Sequence, residues 1–314
     1  MPGSEGLHVV IGSSGGLGAA VIRALLKRNA RVRGVNRNGQ ANVPFGVELV
    51  AADAAKPDEA KRVCEGAAVV YHCANAPYAD WQRLFPPLTD SIIEAAAAAG
   101  AKLVFADNLY MYGPVFGPMH EELPDAATGR KGEVRARMAR DVLLAHRSGK
   151  VRATIARASD FFGPGVTNSA VGERVFGAAL KATSIDLLGN IDTPHTYTFI
   201  DDFARVLIAL GQRDDVFGEV WHAPNAPAIS TRQFVQKVLE VTKTEPKVRV
   251  IPKLVVSLMA LFNPMMRELN EILYQFEAPF VVDHSKYEKK FGSQITPLND
   301  AIEKTVAWFR TQST

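Results

Sequence analysis

Three glycines, Gly12, Gly15 and Gly18, stand directly behind the apolar run Leu7–Ile11 and constrain this chain more than any other feature. The run reads as a buried strand, and the stretch from about Leu17 to Asn29 as a helix. A turn between them demands special residues. Gly12 permits backbone angles closed to other side chains, Gly15 lets the main chain approach a diphosphate, and Gly18 lets the helix sit tightly on the sheet. The helix N-terminus supplies amides and partial positive charge. Gly12, Ser14, Gly15, Gly16, Leu17 and Gly18 therefore form a candidate dinucleotide cradle, with a plain glycine-rich turn as the alternative.

The strand–helix alternation continues. Arg31–Val35, Val47–Ala51, Ala68–Cys73, Lys102–Ala106 and Arg152–Ile155 read as strands, and Pro57–Cys64, Ser91–Ala99 and Lys131–His146 as helices. Such a pattern predicts an α/β fold, a doubly wound parallel sheet of the Rossmann type with a smaller mixed C-terminal region. The expected division is a dinucleotide-binding domain over 1–165, with segments around 195–225 returning to it, and a substrate-binding region over 166–314. Beyond Gly163 the elements mix. A strand is expected at Tyr197–Ile200 and a helix at Asp201–Leu210. Ser230 and Gln233 form a capping box ahead of a helix over Thr231–Val241. The apolar run Leu254–Phe262 ends at Asn263-Pro264, and helical periodicity returns over Met265–Phe276 and Leu298–Phe309.

Composition narrows the function. Among 314 residues, 36 basic side chains face 33 acidic ones, a balance that argues against a nucleic-acid partner. Cys64 and Cys73 frame no disulfide scaffold and match no zinc spacing, so no metal site is expected and a reducing compartment is. No apolar run reaches the roughly 18 residues of a membrane span, and Met1–Glu5 lacks the features of a secretory leader. These readings point to a cytoplasmic protein acting on a small-molecule substrate, without a membrane partner.

The Gly-x-x-Gly-x-x-Gly spacing resembles the short-chain dehydrogenase/reductase superfamily, in its extended, epimerase/dehydratase-like branch. Other segments carry the same resemblance. Val69-Val70-Tyr71-His72-Cys73-Ala74 is similar to that branch's fourth strand. Phe162-Gly163-Pro164-Gly165 resembles its Gly-Pro-Gly turn, Phe199-Ile200-Asp201-Asp202-Phe203-Ala204 its Asp-Asp-x-Ala signature, and Pro297 to Phe309 its closing helix. The resemblance implies that the fourth strand runs beneath the cofactor, with Cys73, Ala74, Asn75 and Phe161 lining its site.

An acid about 20 residues past the glycines would bond a free ribose 2′-hydroxyl. Here the second strand ends Val35-Asn36-Arg37-Asn38. Asn36 removes the carboxylate that would repel a 2′-phosphate, and Arg37 offers a planar cation that suits one, so NADP(H) is the expected cofactor. NAD, with Arg37 stacked on adenine, is the alternative. Asp53 corresponds in the family to the carboxylate that accepts from the adenine amino group; it also reads as a turn aspartate.

In the enzymes this chain resembles, a serine or threonine ends the fifth strand, and a Tyr-x-x-x-Lys pair heads the next helix. The tyrosine exchanges a proton with the substrate oxygen while the lysine holds the nicotinamide ribose. Here the serine position is Asn108, the tyrosine position is Ala127, and the lysine is Lys131. Lys131-Gly132-Glu133-Val134-Arg135 is similar to the Lys-x-x-(Ile/Val)-Arg run of atypical reductases of plant phenylpropanoids, which keep the lysine without the tyrosine. The candidate catalytic set is Asn108, Lys131, Tyr110 and Tyr112. Tyr78, Trp81, His195 and Tyr197 are candidates for the substrate side, with His195 expected at a loop edge.

The apolar residues of Leu254–Phe262 and Met265–Phe276 suit a substrate-pocket wall, a core helix pair or a dimer contact. The helices around Ala95–Ala99 and from Lys131 resemble the pair that dimerises many relatives, so homodimer and monomer both stand. The expected activity is NADP(H)-dependent oxidation or reduction of a small carbonyl-bearing metabolite. The alternatives are a nucleotide-sugar epimerase or dehydratase, and a non-catalytic NAD(P) sensor.

Overall fold

In the computed structural model, which describes residues 6–312, Leu7–Ile11 forms β1, buried along its whole length as an interior parallel strand must be. Met1–Glu5, read above for leader features, lies outside the described residues. Next come α1 (Gly16–Leu26), β2 (Arg31–Asn36), β3 (Glu48–Ala51), α2 (Pro57–Cys64), β4 (Ala67–His72), α3 (Trp81–Ala98), β5 (Lys102–Asp107), α4 (Arg130–Arg147) and β6 (Arg152–Arg157). Then follow β7 (Asp160–Phe162), α5 (Ala178–Leu180), β8 (Ile185–Leu188), β9 (Pro194–His195), β10 (Tyr197–Phe199), α6 (Ile200–Gly211), β11 (Val220–His222) and β12 (Ile229–Ser230). Last are α7 (Thr231–Thr242), β13 (Val248–Ile251), α8 (Lys253–Met259), α9 (Pro264–Ile272), α10 (Ser285–Phe291) and α11 (Leu298–Gln312).

The main sheet has seven strands in the order β3-β2-β1-β4-β5-β6-β11, with β1 to β6 paired in parallel. The strand order reverses between β1 and β4, the switch point at which open α/β sheets bind ligands beyond their strand ends. This is a Rossmann-type α/β fold. No helix among the described residues is long and apolar enough to cross a membrane.

The chain divides into two compact units, each assembled from separated stretches. The first comprises the residues through Asn108, Glu133–Ala158 and Phe203–Trp221; the second comprises Leu109–Gly132, Ser159–Asp202 and His222 onward. The first unit takes back Phe203–Trp221, a narrower return than 195–225, while Leu109–Gly132 goes to the second. Aromatic packing fills the second unit's core. Phe162 and Phe176 stack at 6.3 Å between ring centres, Phe176 and Phe309 at 5.6 Å, and Phe234 meets Phe162 edge-on at 5.2 Å.

Three expectations need correction. The helix expected from Ser91 begins at Trp81 and carries Pro86 and Pro87 inside it. Those prolines remove amide donors only toward its first turn, where buried Trp81 and Phe85 hold the helix by packing. His195 lies in β9, paired with β12 and 2% exposed, rather than at a loop edge. The run Leu254–Phe262 joins the core only in part: Val256 and Ala260 are buried and Ser257 bonds Asn270 of α9, but Leu254, Leu258, Leu261 and Phe262 are all exposed.

Candidate functional site

Gly12 leaves β1 at φ +94°, and a Cβ there would lie 2.6 Å from the Ala74 Cα. The backbone of Cys73 and Ala74 thus passes directly beneath the turn, and only glycine fits. A Cβ on Gly18 would lie 2.2 Å from the Gly12 carbonyl oxygen. Gly15 is different. Its φ is −80°, and a Cβ there would meet no neighbour closer than 3.5 Å. The chain's own packing makes no demand for glycine at 15, and open volume lies beside it. It lies before the first turn of α1, which has no side-chain cap and no acid. Those amides and the helix dipole suit an anion, and the cradle fits a diphosphate. Ser14 is exposed there, and Gly16 and Leu17 are half-buried.

Asn36 secures this turn from the end of β2. Its Nδ2 donates to Ser13 Oγ at 2.7 Å and to the Gln40 carbonyl at 3.0 Å, while Oδ1 accepts from the Asn38 amide at 3.0 Å. Arg37 is exposed and makes no ion pair among the described residues. Asp53 uses Oδ1 to accept from the Ala55 amide at 3.1 Å, a turn role for one of its two oxygens. Cys73 is half-buried, and burial pushes its thiol well above the usual range. Asn75, exposed, caps the Ala76 amide at 3.0 Å.

At the tip of β5, Asp107 is fully enclosed between Arg135 at 3.5 Å and Arg157 at 3.3 Å. Burial pushes its carboxyl up, and Arg157 and then Arg135 oppose that shift. The Arg135 guanidinium lies 4.5 Å from the Trp81 ring centre and 4.4 Å from that of Phe85. Trp81 is therefore a buried platform for Arg135, with Tyr78 packed on it at 4.8 Å. Asn108 follows Asp107, and its amide donates to the Asp107 carboxylate.

The second unit holds the other candidates. The short helical turn Tyr110–Tyr112 carries half-buried Tyr110 and buried Tyr112. The Tyr112 hydroxyl lies 2.8 Å from His222 Nε2, and His222 Nδ1 lies 3.0 Å from the Asp283 carbonyl. A carbonyl only accepts, so Nδ1 carries the proton and Tyr112 donates to Nε2. Ala127 backs onto the start of α4, where a Cβ on Gly132 would come within 2.2 Å of the Ala127 Cβ.

Lys131 is 3% exposed, and its ammonium is ion-paired with Glu268 and Glu271 of α9. Glu271 also accepts the Lys131 backbone N–H at 2.6 Å, capping a helix preceded by side-chain-free Gly129. Arg130 completes the cluster, 3.1 Å from Glu268 and 3.6 Å from Glu271. Sequence reasoning missed both glutamates; their only signal is the Glu268-x-x-Glu271 spacing, which puts two acids on one helical face. His195 Nε2 lies 2.8 Å from Asp160 Oδ2, with the ring between Phe276 and Phe280 at 5.3 and 5.2 Å. Tyr197 is buried with its hydroxyl 2.8 Å from Thr231 Oγ1, and burial raises it far above its ordinary value. Phe161 is half-buried in β7.

Among solved structures, the chain is similar to UDP-glucuronic acid 4-epimerase from Bacillus cereus in complex with NAD. The two are 17% identical, with a TM-score of 0.81 over 98% of this chain and 100% of that one. UDP-glucose 4-epimerase from Thermotoga maritima with UDP-glucose is 15% identical, with a TM-score of 0.81 over 98% and 100%. The dTDP-glucose 4,6-dehydratase from Bacillus anthracis in complex with NAD is 13% identical, with a TM-score of 0.80 over 97% and 96%. No curated protein matches the sequence. The family profile matches residues 8–222, from inside β1 to the end of β11, and the chain belongs to the NAD dependent epimerase/dehydratase family.

Proposed function

We propose that this chain binds a nicotinamide dinucleotide on the Gly12–Gly18 turn and uses it for hydride transfer at a hydroxyl- or carbonyl-bearing carbon of a small molecule. The observation that carries this reading is Gly15, where an absent Cβ serves a ligand rather than the chain's own packing. In this reading Ser14 and the amides of Gly16 and Leu17 face the diphosphate, with Cys73, Ala74, Asn75 and Phe161 beside the dinucleotide. Lys131 holds the ribose, and Asn108 orients the substrate oxygen. Uncommitted Arg37 and neutral Asn36 favour NADP(H) over NAD. Tyr110 and Tyr78 stay on the substrate side. Tyr112, Trp81, Tyr197 and His195 are better suited to holding that side's shape, since each is buried on a partner of its own.

The similar structures are nucleotide-sugar enzymes, and we rank a nucleotide sugar ahead of a small apolar carbonyl compound as the substrate class. The second class keeps one argument: Lys131 and Arg135 are retained where the tyrosine is not. Two free cysteines fit a reducing, cytoplasmic setting. Dimerisation through α3 has less support than a monomer, because Ala95 and Ala96 are already buried in the first unit.

Calorimetric titration with NADPH and NADH tests the cofactor, and turnover against UDP- and dTDP-sugars, aldehydes, ketones and enones tests the substrate. Tight binding with sugar-nucleotide turnover supports the leading reading. Tight binding with no turnover across the panel supports a sensor, and no heat with either cofactor overturns the proposal.

A further inference from the structure

At the start of α4, Arg130 and Lys131 meet Glu268 and Glu271 in a charge cluster that the family's tyrosine–lysine pattern does not include. Removing an ammonium from water is costly unless a carboxylate answers it, and a single acid would suffice. Here α9 brings two, three residues apart on one face, and they divide the work. Glu271 is spent on backbone and helix start: it accepts the Lys131 N–H and presses against Gly129, where a Cβ would lie 2.8 Å from its Oε1. Among the described residues, Glu268 caps no backbone amide: its polar partners are the Arg130 guanidinium and the Lys131 ammonium, and its side chain is 13% exposed. In the pattern this sequence resembles, that lysine is partnered by the tyrosine that is Ala127 here.

Tyr274, three residues beyond Glu271 in the helical turn Leu273–Phe276, is a further proton-bearing group that interacts with Glu271. Burial first, then Tyr110, Glu271 and Asp160, hold its hydroxyl protonated far above the ordinary tyrosine range, so it serves poorly as a proton acceptor.

Resting on the hydride-transfer reading, we propose that Glu268 is the proton-handling group of this site, a carboxylate from α9 that replaces the missing tyrosine as the working partner of Lys131. In the oxidation direction the substrate O–H breaks and its proton goes to a Glu268 oxygen. The C–H electron pair leaves as hydride to an oxidised nicotinamide dinucleotide, and the carbon–oxygen double bond forms. Reduction runs the same transfers backward. Glu271 is a positioning residue that fixes the start of α4.

Glu268→Gln keeps shape and size but cannot accept the proton. Its kcat should fall about 100-fold, the usual scale for a lost general base, with dinucleotide affinity retained and partial rescue in Glu268→Asp. Turnover in Glu268→Gln close to that of the unaltered protein overturns the proposal. A second readout needs no substrate. Lys131 is labelled with an amine-directed acylating reagent and followed by peptide mass spectrometry. Loss of its nearest counter-charge makes the neutral amine easier to reach, so labelling should run several-fold faster in Glu268→Gln and near the unaltered rate in Glu268→Asp. Equal labelling in all three proteins overturns the pairing on which the proposal stands. If the unaltered protein binds neither NADPH nor NADH, the hydride-transfer reading fails, and the labelling result still reports on the glutamate–lysine pair.

Discussion

Gly15 and Gly18 look alike in the sequence and differ in what they are for. Gly18 is required by the chain, because a Cβ there would overlap the Gly12 carbonyl. Gly15 meets no such obstacle at φ −80°. Gly15→Val should therefore melt near the temperature of the unaltered protein and lose dinucleotide binding, whereas Gly18→Val should lose stability as well. Calorimetry and thermal melting on both variants check this. Arg37→Glu puts an anion where a 2′-phosphate would sit, and should shift the NADPH-to-NADH affinity ratio at least tenfold toward NADH, about the 1.4 kcal/mol of one lost charge-assisted bond. Competition binding measures that ratio. The glycine turn and Lys131 were legible because local spacing carries them. Glu268 and Glu271 were not, since they lie 137 and 140 residues from Lys131 and only tertiary packing joins them.

At the level of elements, β1, β2, β4, β5 and β6 stand in the sequence as short apolar runs because both faces of an interior parallel strand are buried, whereas β3 is the edge strand and none of its residues is fully buried. α2 has the bounds its pattern predicts, with Pro57 at its first position and acids in its first turn. What escaped was short or broke a rule. β11 has three residues, β9 and β12 have two each, and α3 carries prolines that read as a stop. The cap of α7 was visible, and both its bonds form: the Gln233 amide donates to Ser230 Oγ at 3.2 Å and the Ser230 amide to Gln233 Oε1 at 2.9 Å. Ser230→Ala should cost about 1 kcal/mol in urea unfolding, and Ser230→Asp should restore most of it.

For the molecule as a whole, acid stability should follow the buried histidines of the first unit. His72 has its pKa lowered to about 3 by burial and then by Arg135, and His8 to about 4 by burial and then by Arg28. Unfolded histidine titrates near 6.5. Between that value and the lowered ones the unfolded chain binds more protons, so stability is complete above about pH 6.5 and falls as the pH drops toward 3 to 4. His72 alone should contribute a loss of about 2 kcal/mol from pH 7 to pH 5. Urea midpoints at the two pH values should differ less in His72→Asn than in the unaltered protein.

The interleaving of the two units also bears on synthesis and dissection. The sheet-bearing unit lacks its last piece until Trp221 has been made, and the other waits for the chain's final helix. A cut at residue 165 would leave both halves missing segments that belong to them, so neither fragment should yield a well-folded product. A ribosome-bound intermediate would likewise carry an open β6 edge for the roughly sixty residues that precede β11, a long exposure for a strand template and a point at which a chaperone would matter.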